Sequence, residues 1–189
     1  MIYNILLCGV GGQGILLAAK IISKAAELAG YEVTAKETHG MAQRGGSVMA
    51  QIKFGNKVHS PLILEGTADV LASLEHIEAI RCAHYLKPDG LAVVAKQAVI
   101  PVTVSCGNAK YPQDVEARLN KLFPKLKYCD CVTKALELGN VRLANTILIG
   151  MLSNALPLPM ECWRGAIEAS VKPSTVEANL MAFNCGKQI

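Results

Sequence analysis

The fold is decided by residues 3–35, YNILLCGVGGQGILLAAKIISKAAELAGYEVTA, where an apolar run, a glycine-rich turn and an amphipathic stretch follow one another. Tyr3 to Cys8 is a short apolar run that ends in glycines, as in a strand covered on both faces. Ile15 to Ala29 has apolar residues at helical spacing, and Gly30 ends the predicted helix. Tyr31 to Ala35 is predicted to form a second strand. Together these elements predict a Rossmann-like start of an α/β fold.

The following residues continue the alternation of strands and helices. We predict strands at Ala68–Ala72, Leu91–Ala95, Val102–Ser105 and Tyr128–Val132, and helices over Glu75–Leu86 and near Gln113–Leu122. Ser47–Phe54 alternates in polarity, and a turn at Gly55-Asn56 leads into Val58–Ser60. This pattern predicts an antiparallel hairpin inserted into the α/β order.

The last third of the chain is predicted to be helical. Helices are expected over Val141–Leu156, Met160–Ser170 and Ser174–Phe183, with Ser174 as an N-cap. We therefore predict one α/β domain over residues 1–189. It has a doubly wound, mostly parallel sheet, an inserted hairpin and a helical C-terminal end.

The composition supports one well-packed domain. Of 189 residues, 51% are hydrophobic and 18% are charged, so part of the apolar surface is expected to lie inside or against another chain. The net charge of +4 includes no basic run, and aromatic residues make up 5%, which argues against nucleic-acid binding. Neither long uncharged stretch has the features of a signal peptide or a membrane span. We expect a cytoplasmic protein that does not bind membranes.

Seven cysteines without secretory features are not expected to form disulfides. The sequence contains no C-x-x-C pair, so we predict no metal or iron–sulfur site in this chain alone. Cys8, at the end of the first strand, is interpreted as a packing residue. The helix face with His76, Glu78, Arg81 and His84 lacks metal-ligand spacing and is interpreted as solvated.

The glycine-rich turn is the first candidate binding site. It has the pattern G-x-G-x-x-G between a strand and a helix, where glycines allow close backbone approach and free N–H groups attract phosphate. Its candidate residues are Gly9, Gly11, Gly12, Gln13 and Gly14. In dinucleotide-binding folds an acidic residue about 20 positions onward binds the ribose, and here Lys36 and Glu37 compete for that place. The alternative is a turn that serves strand-to-helix packing alone.

The second candidate is the polar loop that follows the second strand. Arg44 can bind a carboxylate or phosphate in bidentate fashion, and Gly45, Gly46 and Ser47 allow backbone to approach the anion. His39 can exchange a proton near neutral pH. Equally open are an Arg44 pairing with Glu37, a turn-capping role for His39, and two glycines that serve only to begin the hairpin.

Two polar features lie in the helical end. Asn145, on an otherwise apolar helix, must either hydrogen-bond a neighbouring loop or face another subunit. Lys172, Glu177 and Asn179 are interpreted as a capped, solvated helix start.

Five segments together resemble the small subunit of the 2-oxoacid:ferredoxin oxidoreductases, and in particular its indolepyruvate-type beta subunits and gamma domains. The segments are ILLCGVGGQGILLAAKII (5–22), ETHGMAQRGGSV (37–48), SPLILEGTADVLASLE (60–75), NTILIGML (145–152) and VEANLMAFNCG (176–186). The resemblance covers nearly the whole chain.

The resemblance implies oxidative decarboxylation of an aryl or other 2-oxoacid to acyl-CoA, carbon dioxide and reduced ferredoxin. It also implies that thiamine diphosphate and the iron–sulfur clusters belong chiefly to a large alpha subunit, and that coenzyme A is a co-substrate. The present chain would then orient groups and close the site. On this hypothesis residues 9–14 and Arg44 bind phosphates of coenzyme A or the oxoacid carboxylate at the subunit interface, and His39 is a polar residue near the thiamine cofactor.

Two other interpretations stay open from the sequence. One is a free-standing Rossmann-type dinucleotide-binding oxidoreductase, and the other is a structural partner whose loops bind nothing. The subunit interpretation further predicts an exposed apolar patch near the glycine-rich turn and the Arg44 loop.

Overall fold

A six-stranded sheet organises the chain, whose computed structural model describes residues 1–40 and 45–189. The strands are β1 (Ile2–Val10), β2 (Glu32–His39), β3 (Ser47–Gly55), β4 (Ala68–Ser73), β5 (Leu86–Ala95) and β6 (Leu126–Cys129). The helices are α1 (Ile15–Leu28), α2 (His76–Arg81), α3 (Val102–Ser105), α4 (Val115–Leu122), α5 (Cys131–Glu137), α6 (Ala144–Ser153), α7 (Met160–Ser170) and α8 (Val176–Lys187).

The strand order is β2-β3-β1-β4-β5-β6. Strands β1, β4, β5 and β6 run parallel, whereas β3 is antiparallel to both β1 and β2. One apolar cluster joins the sheet to α1 and to the helices from α5 to α8, and a second joins the opposite face to α2 and α4. The predicted doubly wound α/β class is therefore confirmed, including its helical C-terminal end.

The hairpin predicted to pair Ser47–Phe54 with Val58–Ser60 is wrong, although Ser47–Gly55 does form an antiparallel strand. Residues 58–60 form no strand; instead β3 pairs with β2, from Glu32 opposite Gly55 to His39 opposite Val48. The Val58 N–H donates to the Glu32 carboxylate at 3.0 Å. The long β2–β3 ladder satisfies far more backbone groups than a three-residue strand could, so β2 continues to His39 instead of ending at Ala35.

The strand predicted at Val102–Ser105 is also wrong, because this segment is the short helix α3. Pro101 precedes it as the N-cap with φ near −65°. Val102 is 76% exposed, so its preference for extended backbone is not stabilised by packing within a sheet.

Two other boundaries are set by helix caps. The strand predicted to reach Val132 ends at Cys129, since the Asp130 carboxylate accepts the Thr133 N–H at 2.9 Å and begins α5. The predicted N-cap at Ser174 is wrong: this residue lies in a 3₁₀ turn, and Thr175 precedes α8.

Helices α6 and α8 cross at unusually close range. A methyl group added to Gly150 would overlap the Phe183 carbonyl oxygen, and one added to Gly186 would overlap the Ile147 carbonyl oxygen. The two glycines therefore let the helix backbones touch. In the described part of the chain no helix is long and apolar enough to cross a membrane.

Candidate functional site

The two sequence-predicted loops meet at the carboxyl edge of the parallel strands. Val10, the last residue of β1, lies opposite Ser47, and His39, the last residue of β2, lies opposite Val48. The Gly11 N–H donates to the Gly46 carbonyl at 2.8 Å, which joins the glycine-rich turn to the start of β3. In open α/β sheets this edge, where the chain winds in opposite directions from adjacent strands, is the usual ligand-binding crevice.

Glycine is required at several positions of the turn. Gly12 and Gly14 have φ of +99° and +84°, which favour glycine. A Cβ at Gly9 would lie 2.8 Å from Gln13 Oε1, and one at Gly14 would lie 2.6 Å from Asn145 Nδ2. Packing thus explains Gly9 and Gly14, whereas a Cβ at Gly12 would meet no described atom within 4 Å.

Gln13 fixes the shape of the turn. Its Oε1 accepts the Val10 N–H at 2.7 Å, and its Nε2 donates to the Leu74 carbonyl at 2.8 Å and to Gln97 Oε1 at 2.9 Å. Both ends of the amide are thereby occupied by protein groups. Gln13 is a positioning residue in this geometry, and it ties the turn to the ends of β4 and β5.

A cavity of about 310 Å³ borders the turn and the start of α1. Gly14 is the N-cap of α1, and among the described residues no side chain caps this helix. The first N–H groups of α1 and the helix dipole therefore make this end favourable for an anion. The cavity is lined by Val10, Gly11, Gly12, Gly14, Ile15, Leu16, His39 and Val48.

A larger cleft of about 460 Å³ lies on the other side of His39, which therefore borders both spaces. Ser47 is engaged there: its Oγ donates to Glu78 Oε2 at 2.5 Å and accepts from Arg81 Nη2 at 2.8 Å. The remaining lining residues are Thr38, Gly40, Met49, Cys82, His84 and Tyr85. His39 is thus well placed to contact a ligand in either space.

The anion contact predicted for Arg44 lies outside the described residues and stays a prediction. The position of Glu37 is described, and it departs from the dinucleotide pattern. Glu37 pairs with Ala50 of β3, and β3 separates β2 from β1. The acidic residue is therefore one strand further from the glycine-rich turn than a ribose ligand in a Rossmann fold.

A third cavity, of about 150 Å³, borders the turn on the side of the helical end. Gly12, Gln97, Arg142 and Asn145 are among its lining residues. Sequence reasoning missed Arg142, because the residue is 130 positions from Gly12 and no local motif marks it. The guanidinium places a cation beside a backbone already suited to anions.

Asn145 hydrogen-bonds a neighbouring loop, the first of its two predicted alternatives. Its Nδ2 donates to the Gly14 carbonyl at 3.2 Å. Thr146 Oγ1 donates to Asn179 Oδ1 at 2.7 Å, and Asn179 is buried, so its interpretation as part of a solvated helix start is wrong. The polar side chains connect the glycine-rich turn to α6 and α8.

Of the helix face interpreted as solvated, Arg81 and His84 are exposed, whereas His76 and Glu78 are half-buried and hydrogen-bonded, so the interpretation is wrong for these two. Glu75 is buried and is the N-cap of α2, accepting the Glu78 N–H at 2.8 Å. Its Oε1 also accepts the Tyr111 hydroxyl at 3.0 Å. His76 Nε2 lies 2.6 Å from that hydroxyl, and its Nδ1 lies 3.0 Å from the Tyr128 hydroxyl.

Burial controls the titration of this polar network. Burial lowers the pKa of His76, against the opposing effect of Glu75. Burial and the Glu75 charge raise the pKa of Tyr111, and burial also raises that of Tyr128. The available sequence signal was a Glu-His pair directly after a buried strand, where helix caps and polar clusters often lie.

Within residues 1–40 and 45–189, no three His, Cys, Asp or Glu side chains come together as ligands for a metal ion. Residues at the start of α1, His39 and Arg142 border these cavities, and backbone N–H groups, an imidazole and a guanidinium are all groups that can contact an anion.

Comparison with known proteins gives consistent findings. Residues 4–189 match the family described as pyruvate ferredoxin/flavodoxin oxidoreductase. Indolepyruvate oxidoreductase subunit IorB of Pyrococcus horikoshii is 42% identical over 189 residues, covering 97% of this chain and 94% of that protein.

Two solved structures share the fold. Pyruvate oxidoreductase subunit PORC of Thermotoga maritima superposes with a TM-score of 0.73 at 22% identity, over 99% of this chain and 96% of that one. The 2-oxoglutarate:ferredoxin oxidoreductase of Magnetococcus marinus, solved with 2-oxoglutarate, coenzyme A and succinyl-CoA bound, has a TM-score of 0.73 at 20% identity. The match covers 99% of this chain and 30% of that longer chain.

Proposed function

The chain belongs to the pyruvate ferredoxin/flavodoxin oxidoreductase family, and we propose that it is the small subunit of an indolepyruvate:ferredoxin oxidoreductase. With a large alpha subunit it converts an aryl pyruvate to acyl-CoA and carbon dioxide, and ferredoxin accepts the electrons. The observation that carries this proposal is the 42% identity to an indolepyruvate oxidoreductase subunit over nearly the full length of both chains.

The contribution of this chain is to bind an anionic group at the carboxyl edge of its sheet. Gly12 and the first residues of α1 line the cavity of about 310 Å³, where a phosphate of coenzyme A or a 2-oxoacid carboxylate can bind to free backbone N–H groups. Gly45 and Gly46 directly precede β3 and have no side chains that would keep an anion from the backbone. Arg44 and Arg142 supply the positive charge, and bidentate guanidinium contacts orient a carboxylate or phosphate.

His39 supports the reaction from the wall between the two cavities. It can donate a hydrogen bond to a substrate oxygen from either space. Closure of the crevice by the partner subunit excludes water and strengthens these electrostatic contacts.

The cofactors belong to the partner subunit in this proposal. Thiamine diphosphate supplies the carbanion-stabilising chemistry of decarboxylation, and iron–sulfur clusters carry the electrons. The described residues bring together no set of cluster ligands. In line with the family resemblance, we assign the clusters to the large subunit and confine the role of this chain to binding, orientation and exclusion of water.

Co-expression with a large subunit, followed by viologen reduction with four 2-oxoacids, tests this function. We expect indolepyruvate and phenylpyruvate to have higher kcat/KM than pyruvate or 2-oxoglutarate. A preference for pyruvate or 2-oxoglutarate would contradict the aryl substrate. Tight binding of NAD(H), NADP(H) or FAD by the isolated chain, without oxoacid-dependent reduction by the complex, would instead favour the free-standing oxidoreductase.

A further inference from the structure

Two cysteines from distant parts of the chain lie together beneath the larger cleft. Cys8 is the fully buried residue of β1 that immediately precedes the glycine-rich turn, and Cys82 follows α2. Both belong to the apolar cluster between the sheet and α2. Cys82 is 5% exposed and lines the cleft of about 460 Å³, whereas Cys8 is fully buried and does not line it.

The two thiols differ in chemical character because of their mutual contact. Interaction with the Cys8 thiol lowers the pKa of Cys82, and the neighbouring Arg81 acts in the same direction, against the opposing effects of burial and Glu78. The same contact and complete burial raise the pKa of Cys8. The arrangement places the more nucleophilic sulfur at the cleft and a protonated thiol directly behind it.

The other five cysteines do not line this cleft; they are Cys106, Cys129, Cys131, Cys162 and Cys185. Burial raises the pKa of Cys129 and Cys131, which disfavours their thiolates. Cys106 is exposed, and Cys162 is buried in the helical end of the domain. Redox-sensitive cysteines often have a second, resolving cysteine beside them, and Cys82 has both this neighbour and access to a cleft.

We infer that Cys82 is a peroxide-sensitive modification site and that Cys8 resolves its oxidised form as a disulfide. The Cys82 thiolate attacks hydrogen peroxide, so the O–O bond breaks, Cys82 becomes a sulfenic acid and hydroxide leaves. The Cys8 thiol then attacks the sulfenic sulfur; an S–S bond forms, the S–O bond breaks, and the departing hydroxide takes the thiol proton as water. Overall, two thiols lose two electrons to one peroxide, and a dithiol reductant reverses the change.

The disulfide would act on the candidate site through its position. It joins β1, one residue before Gly9, to the end of α2, whose Arg81 contacts Ser47. Formation of the bond draws the floor of the cleft toward the sheet, because a disulfide is only about 2 Å long. The inference does not depend on the identity of the oxoacid.

The test is peroxide titration of the purified full chain, with alkylation of remaining thiols and peptide mapping without reduction. We expect a peptide pair linked through Cys8 and Cys82 at about one peroxide per chain, and its disappearance after treatment with a dithiol. In Cys8→Ala, a sulfenic acid at Cys82 should persist and react with dimedone. In Cys82→Ala, oxidation at Cys8 should be at least about tenfold slower, since the buried thiol lacks the reactive partner.

Cys162→Ala is the matched control for removal of a buried thiol, and the linked pair should form in it as in the unmodified chain. Circular dichroism checks that each variant is folded. Peptide mapping of the unmodified chain identifies the linked cysteines whether or not the variants fold. Oxidation of Cys106 with Cys8 and Cys82 still reduced would overturn the inference. A disulfide that joins other cysteines would overturn it equally.

Discussion

At the residue scale, Gln13 shows how one side chain sets the geometry of a backbone loop. Its Nε2 faces two acceptors, the Leu74 carbonyl at 2.8 Å and Gln97 Oε1 at 2.9 Å. In Gln13→Glu an oxygen would face these acceptors with nothing to donate. We expect a loss of roughly 1–3 kcal/mol in the free energy of unfolding, measured by urea denaturation.

Gln188→Glu is the matched control, because Gln188 is exposed near the chain end. It carries the same chemical change and should leave the free energy of unfolding within about 0.5 kcal/mol of the unmodified value. If Gln13→Glu proved equally harmless, Gln13 would not be the residue that positions the turn.

Steady-state kinetics can distinguish the two arginines of the proposed anion site from basic residues elsewhere on the surface. Arg44→Ala and Arg142→Ala each remove a guanidinium, so we expect the KM for coenzyme A or for the oxoacid to rise by about tenfold or more. The reconstituted enzyme with Arg164→Ala, an exposed residue of α7, provides the control. Unchanged KM values for both substrates in both variants would remove these arginines from the site.

The His76 network predicts an acid-sensitive stability. Burial lowers the pKa of His76 in the folded chain, so below its usual value of about 6.5 the unfolded chain binds more protons than the folded one. Stability is therefore expected to fall as the pH decreases below about 6.5. Thermal melts between pH 5 and 8 should show this slope, and His76→Gln should reduce it.

The exposed His59 serves as the control in the same melts. His59→Gln should keep the slope of the unmodified protein. An unchanged slope in His76→Gln would mean that another group causes the acid sensitivity.

At the element scale, the α6–α8 crossing depends on backbone contact. Gly186→Ala would place a methyl group against the Ile147 carbonyl of the opposing helix, where backbone cannot move aside cheaply. We expect a loss of about 1–3 kcal/mol from overpacking. In a chain of this size that lowers the Tm by roughly 2–4 °C per kcal/mol, measured by calorimetry.

Gly165→Ala is a suitable comparison, because it also replaces a glycine inside a helix. Its added methyl group would meet the end of the flexible, exposed Leu28 side chain at 3.1 Å. The higher helix propensity of alanine should then leave the Tm unchanged or raise it. Equal Tm values for the two variants would show that α6 and α8 can move apart without a loss of stability.

The elements that sequence predicted well are those whose structure depends on local pattern. β1 is an apolar run that ends at the glycine-rich turn, and α1 and α7 have apolar residues at helical spacing next to glycine or proline. Strand pairing is not encoded locally, so β2 was predicted too short and β3 received the wrong partner. For Val102–Ser105, β-branched residues indicated a strand, but isolation from the sheet and Pro101 decided for a helix.

At the scale of the whole molecule, the sequence located half of the candidate site. The glycine-rich turn and His39 were identifiable from composition and spacing, and the structure brings them together at one edge. Arg142, Gln97 and the buried Glu75 were not, because they reach that edge through strand order and helix packing. No local motif marks these three residues, so their place in the site is visible only from the contacts that the fold creates.

The apolar patch predicted near the turn stays a prediction that assembly can test. Leu16 and Val141, which border the cavities beside Gly12, are 41% and 48% exposed. If the large subunit covers this edge, Leu16→Ser and Val141→Ser should each weaken co-purification with it by about tenfold, since each removes a buried apolar contact. Titration of the purified subunits measures the change.

Met181→Ser, at an exposed position on α8, is the control for the loss of an apolar side chain. It should retain the affinity of the unmodified chain. Loss of affinity in Met181→Ser alone would place the interface on the helical end of the domain.

The insertion of β3 between β1 and β2 also determines when the sheet can begin to form during synthesis. β1 pairs with β3 and β4, and both lie later in the chain than β2. The first 40 residues therefore contain two strands that cannot pair with each other, and β1 has no partner until Ser47–Gly55 has left the ribosome. Until then the apolar residues of β1 are not part of a sheet and stay exposed to solvent. We therefore expect a nascent chain of that length to bind chaperones.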